Sequence, residues 1–257
     1  MADWNAAQYL MFDNKRTQPA LDLLSRLNIT DPRKIIDIGC GPGNSTSILR
    51  KRFPKAVLTG IDSSSNMIEK AAKNCPDISF MLCDAEKELD KLGTDYDLVF
   101  SNACIQWIPG HEQLIPNMFG LLNNGGVLAV QAPMNGDSPL YRIIDNIVSN
   151  DYWGFTGNYA ETNKMLEPAR YFDILSKLSG SFSMWETVYY HRMRSHRDLT
   201  EWVKATRLRP YLDVLNDNKQ AELLNEIREQ AKTEYEIQSN GEIIFRFNRF
   251  FFTAVRE

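Results

Sequence analysis

The sequence predicts an α/β fold: a doubly wound, mostly parallel sheet carrying a helical cap. Three observations carry that expectation. Through the first half, short apolar runs alternate with amphipathic stretches of helical period, as parallel strands joined by crossovers require. A glycine-rich turn, Gly39-Cys40-Gly41-Pro42-Gly43, directly follows the first of those runs. In the second half, two alternating segments stand on either side of a helical block. At 257 residues the chain has room for one large domain, or a domain with a cap.

Taken in order, residues 35–38 form the first strand and 45–52 the helix after the glycine turn. A second strand at 57–61 precedes a helix at 66–73, and a third strand lies at 78–82. The fourth, 98–101, rises out of Asp95-Tyr96-Asp97. A helix over 112–122 is expected to stop at Asn124-Gly125-Gly126, ahead of a fifth strand at 127–131. Met134-Asn135-Gly136-Asp137-Ser138-Pro139 is a turn-rich exit from it. Residues 140–179 are helical, with a loop around 154–157; strands follow at 182–190 and 243–255, with a helical block at 195–238 between them. The expected organisation is a single domain, 1–257, with a core at about 30–134. Cap insertions fall at about 135–167 and 191–242, and the final strands at about 182–190 and 243–255.

Composition narrows the function classes. Hydrophobic residues make up 43% and charged residues 24%, an ordinary globular balance that argues against disorder. No run approaches the ~18 apolar residues of a membrane span, and Met1-Ala2-Asp3-Trp4-Asn5 lacks the basic-then-apolar pattern of a secretory leader. A net charge of -4 makes nucleic acid a poor partner. The four cysteines (Cys40, Cys75, Cys83, Cys104) form no Cys-x-x-Cys pair and adjoin no histidine cluster, so no metal is expected. Scattered thiols of this kind suit a reducing cytoplasm.

The chemistry concentrates at the first turn. Gly39, Gly41 and Gly43 let the backbone turn tightly and approach a ligand that a Cβ would repel. Asp37 stands just before them, where it would repel the pyrophosphate of a dinucleotide and attract a cation instead. Asp62, ending the second strand, can accept both hydroxyls of a ribose; its competing role is to cap the next helix, which Ser64 or Ser65 could do. Asp84 after the third strand can accept from an adenine amino group, and Asn102 ends the fourth strand facing the same edge. Together they describe an adenosine with a positive charge and no phosphate, which S-adenosylmethionine fits.

These segments, with Gly60-Ile61-Asp62-Ser63-Ser64 and Asn102-Ala103-Cys104-Ile105-Gln106-Trp107, resemble the class I S-adenosylmethionine-dependent methyltransferases. Within that class the chain resembles the trans-aconitate methyltransferase family nearly end to end. The likeness runs from Asp3-Trp4-Asn5, Tyr9 and Phe12 through Leu128-Ala129-Val130-Gln131 and Tyr189-Tyr190-His191. It continues in Ser195-His196, Trp202-Val203 and Leu208-Arg209-Pro210. One departure is Arg207, where the family is expected to carry glycine. The resemblance implies a seven-stranded, Rossmann-like methyltransferase sheet with an antiparallel last strand. It adds Ser63 to the cofactor contacts and implies a small polycarboxylate as methyl acceptor.

On the acceptor side, Thr187 to Leu212 holds six Lys or Arg against two acids, a net +4 within an acidic chain. Many charge runs are only solvated faces, but an Arg beside a proline turn can fork onto a carboxylate with two parallel hydrogen bonds. Arg207, Arg209 and His191 are therefore expected to bind the carboxylates that do not react, with Tyr189 or a backbone N–H as a neutral donor to the one that does. A carboxylate acceptor is already ionised at pH 7, so no general base is expected. Trp107 walls the adenine or packs in the core; Trp4, Tyr9 and Phe12 form an aromatic face; His196 caps the following helix; His111 lies on the surface.

Overall fold

The computed structural model describes residues 13–155, 165–204 and 206–257. Trp4, Tyr9 and Phe12 lie outside the described residues. After helix α1 (Asp13–Ser25), strands and helices alternate: β1 (Lys34–Ile38), α2 (Asn44–Arg52), β2 (Val57–Asp62), α3 (Ser65–Asn74), β3 (Ser79–Leu82) and β4 (Tyr96–Asn102). Helix α4 (His111–Gly120), β5 (Leu122–Pro133), α5 (Pro139–Val148), α6 (Pro168–Leu178) and β6 (Phe182–Met193) follow. The chain ends with α7 (His196–Lys204), α8 (Arg209–Leu212), α9 (Asp217–Glu234) and β7 (Ile243–Val255). The seven strands form one sheet in the order β3-β2-β1-β4-β5-β7-β6. Neighbours among β1 to β5 pair in parallel, and β7 runs antiparallel between β5 and β6.

Burial explains the strand sequences. Ile35, Ile36 and Ile38 of β1 are completely buried because helices cover both faces of the sheet, so the strand is apolar throughout rather than alternating. One face carries the core built from Ile36, Ile38, Val99, Leu128 and Phe252, into which α6 inserts Tyr171 and Leu175. The other holds Leu23 of α1 with Ile35, Leu49, Phe100, Ala129 and Phe251. A third core lies in the cap, where α5, α7, α8 and α9 close over Met193, Phe245 and Phe247. The β6/β7 ladder, paired from Phe182↔Ala254 to Met193↔Ile243, carries the sheet outward to meet it.

Two local expectations are corrected. The helix expected to reach 122 stops at Gly120, and Asn124-Gly125-Gly126 lies inside the start of β5. Gly125 (φ +81°) donates its N–H to the Arg256 carbonyl at 2.6 Å, and the Arg256 N–H donates to the Gly126 carbonyl at 2.9 Å. A Cβ at Gly126 would come within 2.8 Å of the Tyr96 carbonyl oxygen. The glycine pair thus admits a bulge where the β4/β5 register slips between Tyr96 and Leu98. His111 is not on the surface: it is fully buried, its Nε2–H donating to the Ile105 carbonyl at 2.8 Å while Nδ1 accepts from the Tyr171 hydroxyl. Burial pushes its pKa down, which keeps the ring neutral.

Candidate active site

The carboxyl edge of the parallel strands carries the site. Gly39, Gly41 and Gly43 have φ of +72°, +53° and +94°. A Cβ at Gly39 would sit 2.2 Å from Cys104 Sγ, so the β1 turn and the loop after β4 meet only through glycine. At Gly41 nothing lies within 4 Å of the corresponding position, which leaves a cradle.

Asp37 is completely buried beneath this turn. Its Oδ2 accepts from Ser45 Oγ at 2.7 Å and Thr46 Oγ1 at 2.6 Å, whereas Oδ1 has no hydrogen-bond partner among the described residues. Burial pushes its pKa up to about 6; the two hydroxyls oppose that rise and Asp62 adds to it. A carboxylate matched on one oxygen only is stabilised by a cation brought to the other.

Asp62 ends β2 and accepts from Gly41 N–H at 3.0 Å and Ser64 N–H at 2.9 Å, tying the second strand to the glycine turn. Ser64 caps α3 by accepting from Met67 N–H at 3.3 Å, so Asp62 does not. Ser63 is exposed between them. Asp84 stands beyond β3 but is engaged in its own turn, accepting from Glu86 N–H at 3.0 Å and pairing with Lys87 at 3.1 Å. Asn102 closes β4 directly opposite Gln131 of β5, and its buried Oδ1 has no partner among the described residues. The next residue, Ala103, takes φ +55°, a strained conformation for a side chain, as its N–H bonds the Gln131 carbonyl at 2.8 Å. Trp107 is half-buried in the short turn Ile105–Trp107.

The acceptor-side residues spread over β6 and the cap. Tyr189 donates its hydroxyl to Asp22 of α1. His191 is buried among rings, its centroid 4.7 Å from that of Trp202. Arg207 is buried, pairs with Asp145 of α5 and lies 5.7 Å over the Tyr141 ring, so this extra cation brings its own counter-charge. Arg209 opens α8 and pairs with Asp213 at 3.5 Å. His196 opens α7, and its Nε2–H donates to the Tyr235 carbonyl at 2.7 Å. Two residues were missed by sequence reasoning. Gln131 is fully buried with neither amide atom partnered among the described residues, and Arg249 of β7 is 5% exposed. The only signal in the sequence was a polar residue breaking an apolar strand.

The half-matched Asp37, the open cradle at Gly41 and the buried Asn102 oxygen suit a cationic, phosphate-free nucleoside, while Asp37 and Asp62 together would repel a diphosphate. Among the described residues no group of three or more His, Cys, Asp or Glu could hold a metal ion, and no helix is long and apolar enough to cross a membrane. Sheet order and site define a class I methyltransferase that binds S-adenosylmethionine. A methyltransferase domain family matches residues 35–126. The phosphoethanolamine N-methyltransferase 2 of Haemonchus contortus superposes with a TM-score of 0.60 at 18% identity, over 93% of this chain and 52% of that one. YcgJ of Bacillus subtilis superposes at 0.62 and 13% identity, over 93% and 99%; at such identities the fold alone is shared. The trans-aconitate 2-methyltransferase of Methylobacterium radiotolerans is 40% identical over 99% of this chain and 98% of its own length. That of an Enterobacter species is 38% identical over the whole of both. The chain belongs to the trans-aconitate 2-methyltransferase family.

Proposed function

We propose that this protein methylates one carboxylate of trans-aconitate or a close polycarboxylate. S-adenosylmethionine supplies an electrophilic methyl group, whose carbon leaves sulfur for a carboxylate oxygen to give a monomethyl ester and S-adenosylhomocysteine. The observation that carries the reading is Asp37, a buried carboxylate with one bare oxygen beneath a glycine cradle, in a chain 40% identical end to end to a protein of that name.

Asp37, Gly39, Gly41, Gly43, Asp62, Ser63, Asp84 and Asn102 hold the cofactor. Asp37 faces its cationic end, and Asp62, oriented by two backbone N–H groups, accepts the ribose hydroxyls. No side chain has to remove a proton, since the acceptor is ionised at pH 7. The protein instead desolvates that weak nucleophile and holds it in line. Negative charge leaves the attacking oxygen in the transition state, so a strong cationic clamp there would slow the step. His191, Arg207 and Arg209 therefore take the carboxylates that do not react. Because Asp22 engages the Tyr189 hydroxyl proton, the neutral donor to the reacting oxygen comes from elsewhere. The four free thiols suit work in the cytoplasm, and the net charge of -4 suits a small anionic metabolite held locally rather than nucleic acid. The chain works as one domain with its cap inserted.

Mass spectrometry of a polycarboxylate panel incubated with methyl-labelled S-adenosylmethionine tests this. A labelled monomethyl ester is expected; label found only on phenols or amines, or on none of the panel, would contradict it.

A further inference from the structure

Strand parity and register place a row of polar side chains on one face of the carboxyl edge. Asp37, Asn102, Gln131 and Arg249 share the parity of Ile35, Phe100, Ala129 and Phe251, all of which enter the core beside α1. Asn102 opposes Gln131, Gln131 opposes Phe251, and Arg249 lies two residues from Phe251, between Pro133 of β5 and Thr187 of β6. At about 4.8 Å per strand, three intervals separate the strand of Asp37 from that of Arg249, roughly 14 Å. Along that line the chemistry runs from carboxylate through two amides to guanidinium.

The middle and far end of the row carry the stronger observations. Gln131 is 0% exposed with both amide atoms unpartnered among the described residues. Burying such groups unmet is costly, and native proteins seldom do so without a reason. Arg249 as a residue is 5% exposed; its guanidinium lies 4.8 Å over the Phe247 ring and acts electrostatically on the hydroxyls of Tyr141 in the cap and Tyr189 on β6. It therefore marks the seam between sheet and cap, on the opposite side of Gln131 from Asp37.

We propose that Gln131 and Arg249 form the acceptor subsite: Arg249 forks onto a carboxylate that is not methylated, and the Gln131 amide donates to the one that is. This rests on the methyltransferase reading above. The division follows the charge flow. The spectator carboxylate keeps its charge, so a bidentate cation holds it equally well before and after transfer. The reacting oxygen loses charge, so a neutral amide holds it without resisting the step. Arg249 then sets specificity, since a monocarboxylate offers it nothing.

The test is calorimetric titration of trans-aconitate and of the monocarboxylate crotonate into the protein saturated with S-adenosylhomocysteine, together with kcat and KM. In Arg249→Gln, the Kd for trans-aconitate rises about 10- to 100-fold, the range of a lost charged pair, towards that of crotonate. Affinity for S-adenosylhomocysteine stays within about twofold of wild type, which also reports folding. Arg249→Lys keeps the charge but loses the fork, falls between the two, and decides the matter if the glutamine variant does not fold. Gln131→Leu lowers kcat more than it raises the Kd for trans-aconitate. Wild-type affinity for trans-aconitate in either Arg249 variant, with an active wild-type enzyme, overturns the subsite alone. A wild-type protein that neither binds nor methylates any polycarboxylate overturns the methyltransferase reading and the subsite with it.

Discussion

The two ends of the carboxyl edge are built differently. At the β1–β2 end, Asp37, the glycines and Asp62 come from one strand-turn-helix-strand unit and are tied by short contacts, such as Gly41 N–H to Asp62 at 3.0 Å. At the β5–β7 end, Gln131 and Arg249 stand more than a hundred positions apart in the chain, and they are brought to one end of the sheet, beside the cap, only by strand register and cap packing. The first end is a loop geometry that any relative of the fold can use. The second is where the proposed acceptor subsite lies, as function grafted onto a common fold would have it. The difference predicts that changes at the first end strike cofactor binding and stability together, whereas changes at the second strike the acceptor alone.

The largest effect is expected at Gly39. Valine there meets Cys104 Sγ at an impossible distance and holds an unfavourable φ of +72°, so Gly39→Val should abolish cofactor binding and lower the melting temperature markedly. Gly41→Ala is the sharper comparison, because nothing lies within 4 Å of its Cβ. It should cost only about 1 kcal/mol in a thermal melt, from its φ, yet fill the cradle and weaken the cofactor in calorimetry. Equal losses of stability in the two variants would argue against an open cradle.

Asp37→Asn comes next, and its two effects have opposite signs. The carboxyl's pKa is raised in the fold to about 6, so the stability linked to it is present below the unfolded value and is lost as pH rises through about 6. At pH 7 the ionised group costs roughly 3 kcal/mol, at 1.36 kcal/mol per pKa unit. The asparagine variant should therefore melt higher than wild type at pH 7 to 8, match it near pH 4, and bind S-adenosylmethionine more weakly throughout the neutral range. The smallest effect on stability is expected at Arg209, whose partly exposed pair with Asp213 is worth under about 1 kcal/mol. Arg209→Ala should leave the melting temperature and the cofactor isotherm nearly unchanged while raising KM for trans-aconitate by about 10-fold, the range of a lost charge-assisted pair.

How much of this was legible in the sequence follows the same division. Asp37, the glycines and Asp62 lie at set offsets along one local unit, so the motif carries its own geometry. All seven strands are found where expected, β5 beginning five residues early; the apolar runs of the central strands β1, β4 and β5 reflect burial on both faces, whereas the outer β3 and β6 are largely exposed or half-buried. Asn124-Gly125-Gly126 was misread because a helix stop and a strand bulge use the same residues. Only the pairing with Arg256, 130 positions on, distinguishes them. His111 was misread because its partner Tyr171 arrives from α6. Gln131 and Arg249 were not found at all. Each is marked only as a polar residue breaking an apolar strand, and its meaning lies in which strands become neighbours.

The central claim is that Asp37 waits half-matched for a cation. Calorimetry of S-adenosylmethionine binding at pH 6, in buffers of differing ionisation enthalpy, tests it most directly. A cation beside Asp37 lowers its pKa from about 6, so binding should release a substantial fraction of a proton at pH 6 and almost none at pH 8. Asp37→Asn should release none at either pH. Heats that do not depend on the buffer at pH 6, or identical proton release from the asparagine variant, would contradict the account.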